Sequence, residues 1–184
     1  MRITGGNLSG RLLLSPTTKA TRPMRDAVRQ ALFSILGLGV EGGRFLDLFA
    51  GTGAVGLEAL SRRASGVTFV EHGRAALEVL QQNLETLGVL EKSCVLACDV
   101  FQALEQLDRQ TPFSTVFVGP PYGHGLAQKT LQALDETSIL APDGVVVVEV
   151  FHKETLSPRY AALVERDARR YGDNKLAFYR RDPP

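Results

Sequence analysis

The stretch FLDLFAGTGAVGLEAL, Phe45 to Leu60, sets Gly51, Gly53 and Gly56 between an apolar run and a helix-forming run. A strand, a tight glycine turn and a helix in that order let a nucleotide approach the backbone at the carboxyl end of the strand. The spacing G-x-G-x-x-G also suits dinucleotides, so by itself it leaves the cofactor open. Asp47 narrows the choice. A carboxylate just ahead of the turn repels a pyrophosphate, whereas S-adenosylmethionine brings an ammonium and a sulfonium that it attracts. S-adenosylmethionine is therefore the expected cofactor, with Asp47, Phe49, Ala50, Gly51 and Gly53 around it. Glu71 closes a second apolar run eighteen residues after Gly53, where it can accept both ribose hydroxyls of either cofactor. Asp99, in CDVF after a third run, is placed with Val100 to meet the adenine and accept from its amino group. For each acid the plainer alternative is a solvated loop carboxylate or a helix cap.

A second motif, VFVGPPYGHG, follows a fourth apolar run. Two consecutive prolines make a stiff loop that can hold the ring of Tyr122 at a fixed height beside the sheet edge. Gly119, Pro120, Pro121 and Tyr122 are the candidate catalytic residues. His124 reads as an exposed loop residue, as a histidine between two glycines of a loop usually is.

These motifs need a scaffold, and short apolar runs alternate with helical stretches in the manner of a mostly parallel sheet flanked by helices. The strand candidates are Arg44 to Phe49, Gly66 to Glu71, Ser93 to Cys98, Thr115 to Val118, Gly144 to Val150 and Ala177 to Arg180. Helical spacing of apolar residues covers Ala54 to Arg63, Arg74 to Leu87, Val100 to Leu107 and Leu126 to Asp135. Ahead of them, Ile3 to Leu8 and Arg11 to Leu14 can pair as a small hairpin about Ser9 and Gly10, followed by a proline-containing loop and a helix from about Pro23 to Leu36. The fold class expected is α/β and Rossmann-like, with residues 1–38 as a basic extension and 39–184 as the cofactor-binding domain.

The chain has 184 residues, 44% of them apolar, enough for one full core. Tryptophan is absent and aromatics make up 7%, which argues against a surface that binds by many stacked rings. No apolar run approaches the ~20 residues of a membrane helix and neither end reads as a targeting signal, so a cytoplasmic protein with no membrane partner is expected. Cys94 and Cys98 read as two reduced core thiols; a zinc site needs four ligands and no histidine pair accompanies them, so no metal is expected. The net charge of +1 hides a segregation: up to Ile35 six basic residues face one acid, from Leu36 to His152 seven face fourteen, and from Lys153 eight face five. The expected phosphate contacts are Arg11, Arg22, Arg25 and Arg29, the last two four apart and so on one face of the expected helix.

The series FLDLFAGTG, FVE, D-V-F and x-P-P-Y resembles the amino-directed nucleic-acid methyltransferases, whose fourth motif is Asp-Pro-Pro-Tyr or Asn-Pro-Pro-Tyr. MRITGGNLSGRLL, ATRPMRDAVRQALFSIL, GLEALSRRA and RRYGDNKLAFY extend the resemblance over nearly the whole length to the RsmD-like family that methylates the 2-amino group of one guanine in 16S ribosomal RNA. The resemblance implies a class I methyltransferase fold with a seven-stranded sheet, the small ribosomal subunit as partner, and action as a monomer. It also implies that the residue at 119 and the carbonyl after it accept hydrogen bonds from the target amine, while Tyr122 stacks on the extruded base. Arg169, Arg170 and Lys175 are expected near the site mouth.

Gly119 departs from that pattern, because it brings no side-chain acceptor. Loss of one acceptor from a preorganised site costs about 10²-fold or more in the chemical step. Three readings are open: a weakened or inactive enzyme, replacement by another acid nearby, or an altered residue at 119. Two rivals stand beside methyl transfer. An NAD-dependent oxidoreductase would share the glycine turn but lacks a Tyr-x-x-x-Lys or histidine–acid pair, and a non-catalytic RNA-binding or assembly protein would keep the fold. A DNA or small-molecule amine methyltransferase is disfavoured, since no target-recognition or lid segment is visible.

Overall fold

The structure, a computed structural model, describes residues 1–15, 24–108 and 110–182. Runs such as VVVVEV, with β-branched residues at nearly every position, can only be buried on both faces, and they form the centre of one sheet. In chain order the elements are α1 (Asp26–Leu36), β1 (Arg44–Leu48), α2 (Ala54–Ser61), β2 (Gly66–Val70), α3 (Arg74–Leu87), β3 (Ser93–Leu96), α4 (Val100–Leu107), β4 (Phe113–Val118), α5 (Leu126–Asp135), β5 (Leu140–Phe151), β6 (Arg159–Tyr160), β7 (Leu163–Tyr171) and β8 (Asn174–Arg181). The sheet order is β3-β2-β1-β4-β5-β8-β7-β6. From β3 to β5 all neighbours are parallel; β8, β7 and β6 follow antiparallel.

Alternation along the strands divides the core in two. Phe45, Val67, Phe69, Phe117, Val145 and Val147 face α1, α2 and α3, while Leu46, Leu48, Val116, Val118, Val146 and Val148 face α4 and α5. Helices thus cover both faces, as the alternation of runs requires. The order reverses between β1 and β4, and the crevice at the carboxyl ends of these two strands is where such sheets take ligands.

The sheet has eight strands where seven were expected. Strand β7, LVERDARRY, is largely polar and half-exposed because only the two residues of β6 pair with its outer side, so its sequence carries little strand signal. The tight turn between β7 and β8 is made possible by Gly172 at φ 62°, and it brings Asn174 opposite Phe151. In the amino-terminal segment one antiparallel bridge, Arg2 with Leu12, replaces a full hairpin. Ile3 and Leu13 are buried in the same cluster as α1 and the sheet. Helix α1 begins at Asp26, with Arg25 in extended conformation as its cap; Pro23, the expected start, lies outside the described residues. Cys94 is exposed and Cys98 half-buried, which corrects the reading of both as core thiols: β3 is the outermost parallel strand, and one side of it meets solvent. Among the described residues no helix is long and apolar enough to cross a membrane.

Candidate active site

The glycine turn leaves β1 through Phe49, a non-glycine residue held at φ 63°. Such a conformation costs about 1–3 kcal/mol and persists where the surroundings impose it, as at ligand sites. The Ala50 amide donates to the Val70 carbonyl at 2.9 Å, which pins the turn to β2. Each glycine amide of the turn is then taken from within. Gly51 donates to Glu71 Oε2 at 2.8 Å, Gly53 to the Ala50 carbonyl at 2.8 Å, and Gly56, inside α2, to Asp47 Oδ2 at 2.8 Å. The other oxygen of Glu71 accepts from the amides of His72 and Gly73.

Asp47 is 1% exposed, and burial pushes its carboxyl up to about 7, with the Gly56 bond opposing and the Glu71 charge assisting. It is therefore first a tether for the start of α2, and its charge is on offer only where a cation draws the proton off. Asp99 is exposed and caps α4 by accepting from the Phe101 amide at 2.8 Å, with Val100 buried beneath it. The cap leaves the Asp99 side chain exposed to solvent. Gly51 has open space where a Cβ would stand, so the backbone can be approached there. Asn83 stands three residues after Leu80 and four before Leu87, and a lone amide on that apolar stripe was the signal that could have found it. It is buried in α3, and its amide donates to the Thr52 carbonyl at 3.0 Å while its oxygen accepts from the Leu14 amide at 2.8 Å. The turn and the amino-terminal segment are thereby tied to one side chain.

At the end of β4 the Gly119 amide donates to the Leu48 carbonyl at 3.3 Å, so the Gly-Pro-Pro-Tyr loop begins beside the glycine turn. Pro120 is buried, Pro121 exposed, Tyr122 half-buried and His124 exposed. The Tyr122 hydroxyl donates to Glu149 Oε1 at 3.3 Å, and Asn174 Nδ2 donates to the same oxygen and to the Tyr122 hydroxyl at 3.2 Å. Glu149 is 7% exposed, and burial raises its carboxyl above the usual range against those two bonds. A lone acid inside an apolar strand was the signal that could have found it. The carboxyl-terminal stretch reaches the loop through Asn174, while Arg169 is held by Asp167, Arg170 by the Gly172 carbonyl and Lys175 by the Glu154 carbonyl.

The expected phosphate contacts divide. Arg11 and Arg25 are exposed, Arg11 also donating to the Thr86 carbonyl at 3.0 Å, and Arg22 lies outside the described residues. Arg29 is corrected: it is fully buried, donating to Glu58 at 3.3 Å, to Asp26 at 3.0 Å, and to the carbonyls of Met24 and Arg2. Nor does it share a helical face with Arg25, which stands outside α1. Glu58, itself fully buried, also accepts from the Thr4 amide and hydroxyl and from Arg62. The four arginines expected to meet phosphate thus include one that holds the core together.

Comparison with known proteins agrees with this arrangement. Residues 1–180 match the family model described as Conserved hypothetical protein 95. The Ribosomal RNA small subunit methyltransferase D of Escherichia coli K12 is 40% identical over 149 residues, 81% of this chain and 74% of that protein. The protein of Bacillus subtilis named "Putative rRNA methyltransferase YlbH" is 34% identical over 98% of this chain and 99% of its own length. A solved structure from E. coli, "Putative methyltransferase yhhF", superposes with a TM-score of 0.87 at 35% identity, covering 100% of this chain and 99% of that one. The fold is that of the class I methyltransferases, and the chain belongs to the Conserved hypothetical protein 95 family, the RsmD-like family of methyltransferases.

Proposed function

We propose that the chain transfers a methyl group from S-adenosylmethionine to the exocyclic 2-amino group of a guanine in the 16S ribosomal RNA of the small subunit, working as a monomer in the cytoplasm. The observation that carries the cofactor is the saturation of the three glycine amides by Glu71, Ala50 and Asp47. A pyrophosphate needs those N–H groups and would have to displace two carboxylates, whereas a cationic cofactor is attracted by the same carboxylates. The names of the relatives support the ribosomal substrate.

When bound, S-adenosylmethionine supplies an electrophilic methyl group on sulfur. In this reading Asp47 and Glu71 face its positive charge and ribose, Phe49, Ala50, Gly51 and Gly53 give it backbone to lie against, and Asp99 with Val100 holds the adenine. Tyr122 stacks on the extruded base, and the Pro120 carbonyl accepts one N–H of the target amine and helps to aim its lone pair. Residues 1–38 are assigned to RNA contact and 39–184 to cofactor and chemistry. Calorimetry against S-adenosylmethionine and NAD tests the cofactor; tritiated methyl transfer to undermodified small subunits, with the modified nucleoside identified, tests the reaction. Binding of NAD in preference to S-adenosylmethionine would overturn the reading.

Cofactor affinity carries a pH signature. Asp47 titrates at about 7 in the fold against 3.8 ordinarily, so between those values the free protein holds a proton that a bound cation expels. Affinity for S-adenosylmethionine should rise with pH up to about 7 and level off above it, with proton release seen as a buffer-dependent heat of binding. In Asp47→Asn the slope should vanish. The same shift makes the contribution of Asp47 to stability fall as pH rises from about 4 to about 7, because the free fold prefers the protonated acid.

Arg11 and Arg25 are assigned to phosphates. Arg11→Ala and Arg25→Ala should each weaken RNA binding across sequences and lower the slope of log affinity against log salt by about 1. An affinity flat between low and moderate salt would remove the phosphate role.

A second reading, an RNA-binding relative without turnover, is favoured by one observation. A Cβ at Gly119 would meet the Phe117 ring at 2.7 Å, so the space from which the family's acid projects is partly filled here. RNA that binds tightly with no methyl incorporation would establish it.

A further inference from the structure

Glu149 is an acid embedded in the apolar strand β5. Its face of the strand is that of Val145 and Val147, toward α1, α2 and α3. On the neighbouring parallel strand, Phe117 belongs to the same cluster. The last register pair of these two strands is Val118 with Val148, and the next residues outward are Gly119 and Glu149. Laterally adjacent residues of a parallel pair project to the same face. The position of an added Cβ at 119, against the Phe117 ring, agrees with that face. Glu149 therefore raises a carboxylate from the strand beside the one that lacks it, on the side where the missing side chain would have stood.

That carboxylate is held in place. Both donors that reach it among the described residues, the Tyr122 hydroxyl and Asn174 Nδ2, end on Oε1. A carboxylate taken this far out of water costs free energy unless its oxygens are used, and the ring that fastens it is the one assigned to stack on the target base.

We infer that Glu149 supplies, from the neighbouring strand, the side-chain acceptor for the target amino group that Gly119 does not. The inference rests on the amine-methylation reading above. Oε1 keeps Tyr122 and Asn174 in register, and Oε2 accepts from one N–H of the amine while the Pro120 carbonyl accepts from the other. The nitrogen lone pair forms the new bond to the methyl carbon as the carbon–sulfur pair withdraws onto sulfur, which becomes a neutral thioether. The proton then in excess on nitrogen leaves along the hydrogen bond to the Glu149 carboxylate and passes to water.

Glu149→Gln is the discriminating variant, since its amide oxygen can still serve Tyr122 and Asn174 while its amide nitrogen turns a donor toward a donor. We expect kcat to fall about 10²-fold, with affinity for guanosine-bearing RNA down by no more than the roughly tenfold that the amino contact contributes and affinity for S-adenosylmethionine little changed. A binding measurement reads the same contact without turnover. With S-adenosylhomocysteine present, wild-type affinity for RNA carrying guanosine at the mapped position should exceed that for inosine, which lacks the amino group, by about tenfold. Glu149→Gln should abolish that preference. In the Glu149→Gln background, Gly119→Asp should restore at least tenfold of the rate, alone or with Phe117→Leu to make room for the new Cβ.

A wild-type rate in Glu149→Gln would overturn the inference. So would a loss of rate with the guanosine preference intact and no rescue by either form of Gly119→Asp, which would mark a structural role only. If the wild-type chain transfers no methyl group and Gly119→Asp, with or without Phe117→Leu, does, the substrate reading stands and the role of Glu149 falls. If none of the three transfers, both fall.

Discussion

Arg29→Ala should lower the free energy of unfolding by about 3–5 kcal/mol, the usual result of removing one partner from a buried ion pair. The guanidinium is fully buried and spends its donors on Glu58, Asp26 and two backbone carbonyls, so truncation strands the two carbonyls and leaves the buried Glu58 carboxylate to Arg62 and Thr4. For a chain of this size the transition should move down by roughly 10 °C, measurable by thermal or urea denaturation followed by circular dichroism. Arg29→Lys should recover little, because a point charge cannot replace a planar fork that meets several acceptors at once. Arg25→Ala, four residues earlier and exposed, should stay within about 0.5 kcal/mol of the wild type. Equal stability of the two alanine variants would show that the pair with Glu58 is not formed. The contrast also separates the basic residues by function, for only Arg25 should change the salt dependence of RNA binding.

The second large effect is expected in the glycine turn, and it differs between two glycines that the motif treats alike. Gly53 sits at φ 79°, and a Cβ there would meet Leu80 Cδ1 at 2.4 Å and Phe69 Cε1 at 3.3 Å. Gly51 sits at φ 56° with nothing within 4 Å of the added carbon. Gly51→Ala should therefore cost about 1–2 kcal/mol of backbone strain alone. Gly53→Ala adds overpacking of about 1–3 kcal/mol against a side chain of α3 that cannot yield without opening the core. We expect Gly53→Ala to weaken S-adenosylmethionine binding by 10²-fold or more, because relief of the clash displaces the turn. Gly51→Ala should lose about tenfold or less unless the cofactor itself occupies the open space. Calorimetry on both variants, with denaturation curves alongside, gives the comparison; equal losses of stability would mean that the Leu80 contact does not constrain the turn.

The chain shows where local sequence is informative and where it stops. Helices α3, α4 and α5 have the ends that apolar spacing assigns, because the stripe that packs on the sheet is written in consecutive turns of one segment. The glycine turn was legible for the same reason: its strand, its positive-φ residues and its helix are neighbours in the chain. Strand β7 was less so. Its polar composition suits the outer part of a sheet, and what makes it a strand is the ladder with β8, not its own residues.

The site residues divide along the same line. Asp47, Glu71 and Asp99 were singled out as candidates from their places at successive strand ends, and their local roles are a tether for α2, a brace for the turn and a helix cap. Asn83 broke the apolar stripe of α3 between Leu80 and Leu87, whereas Asn174 carried no signal, since a polar residue in a polar stretch acquires meaning only from the carboxylate that the fold brings to it.

Sequence alone determined the α/β layering, the glycine turn and the Pro-Pro-Tyr loop, because each is a matter of residue type and short spacing, and the family resemblance set Gly119 apart. Tertiary structure decided that Arg29 is a core residue and that Glu149 stands beside Gly119. Burial and lateral strand pairing join residues far apart in the chain, and no local pattern records which of two like residues will be taken out of water.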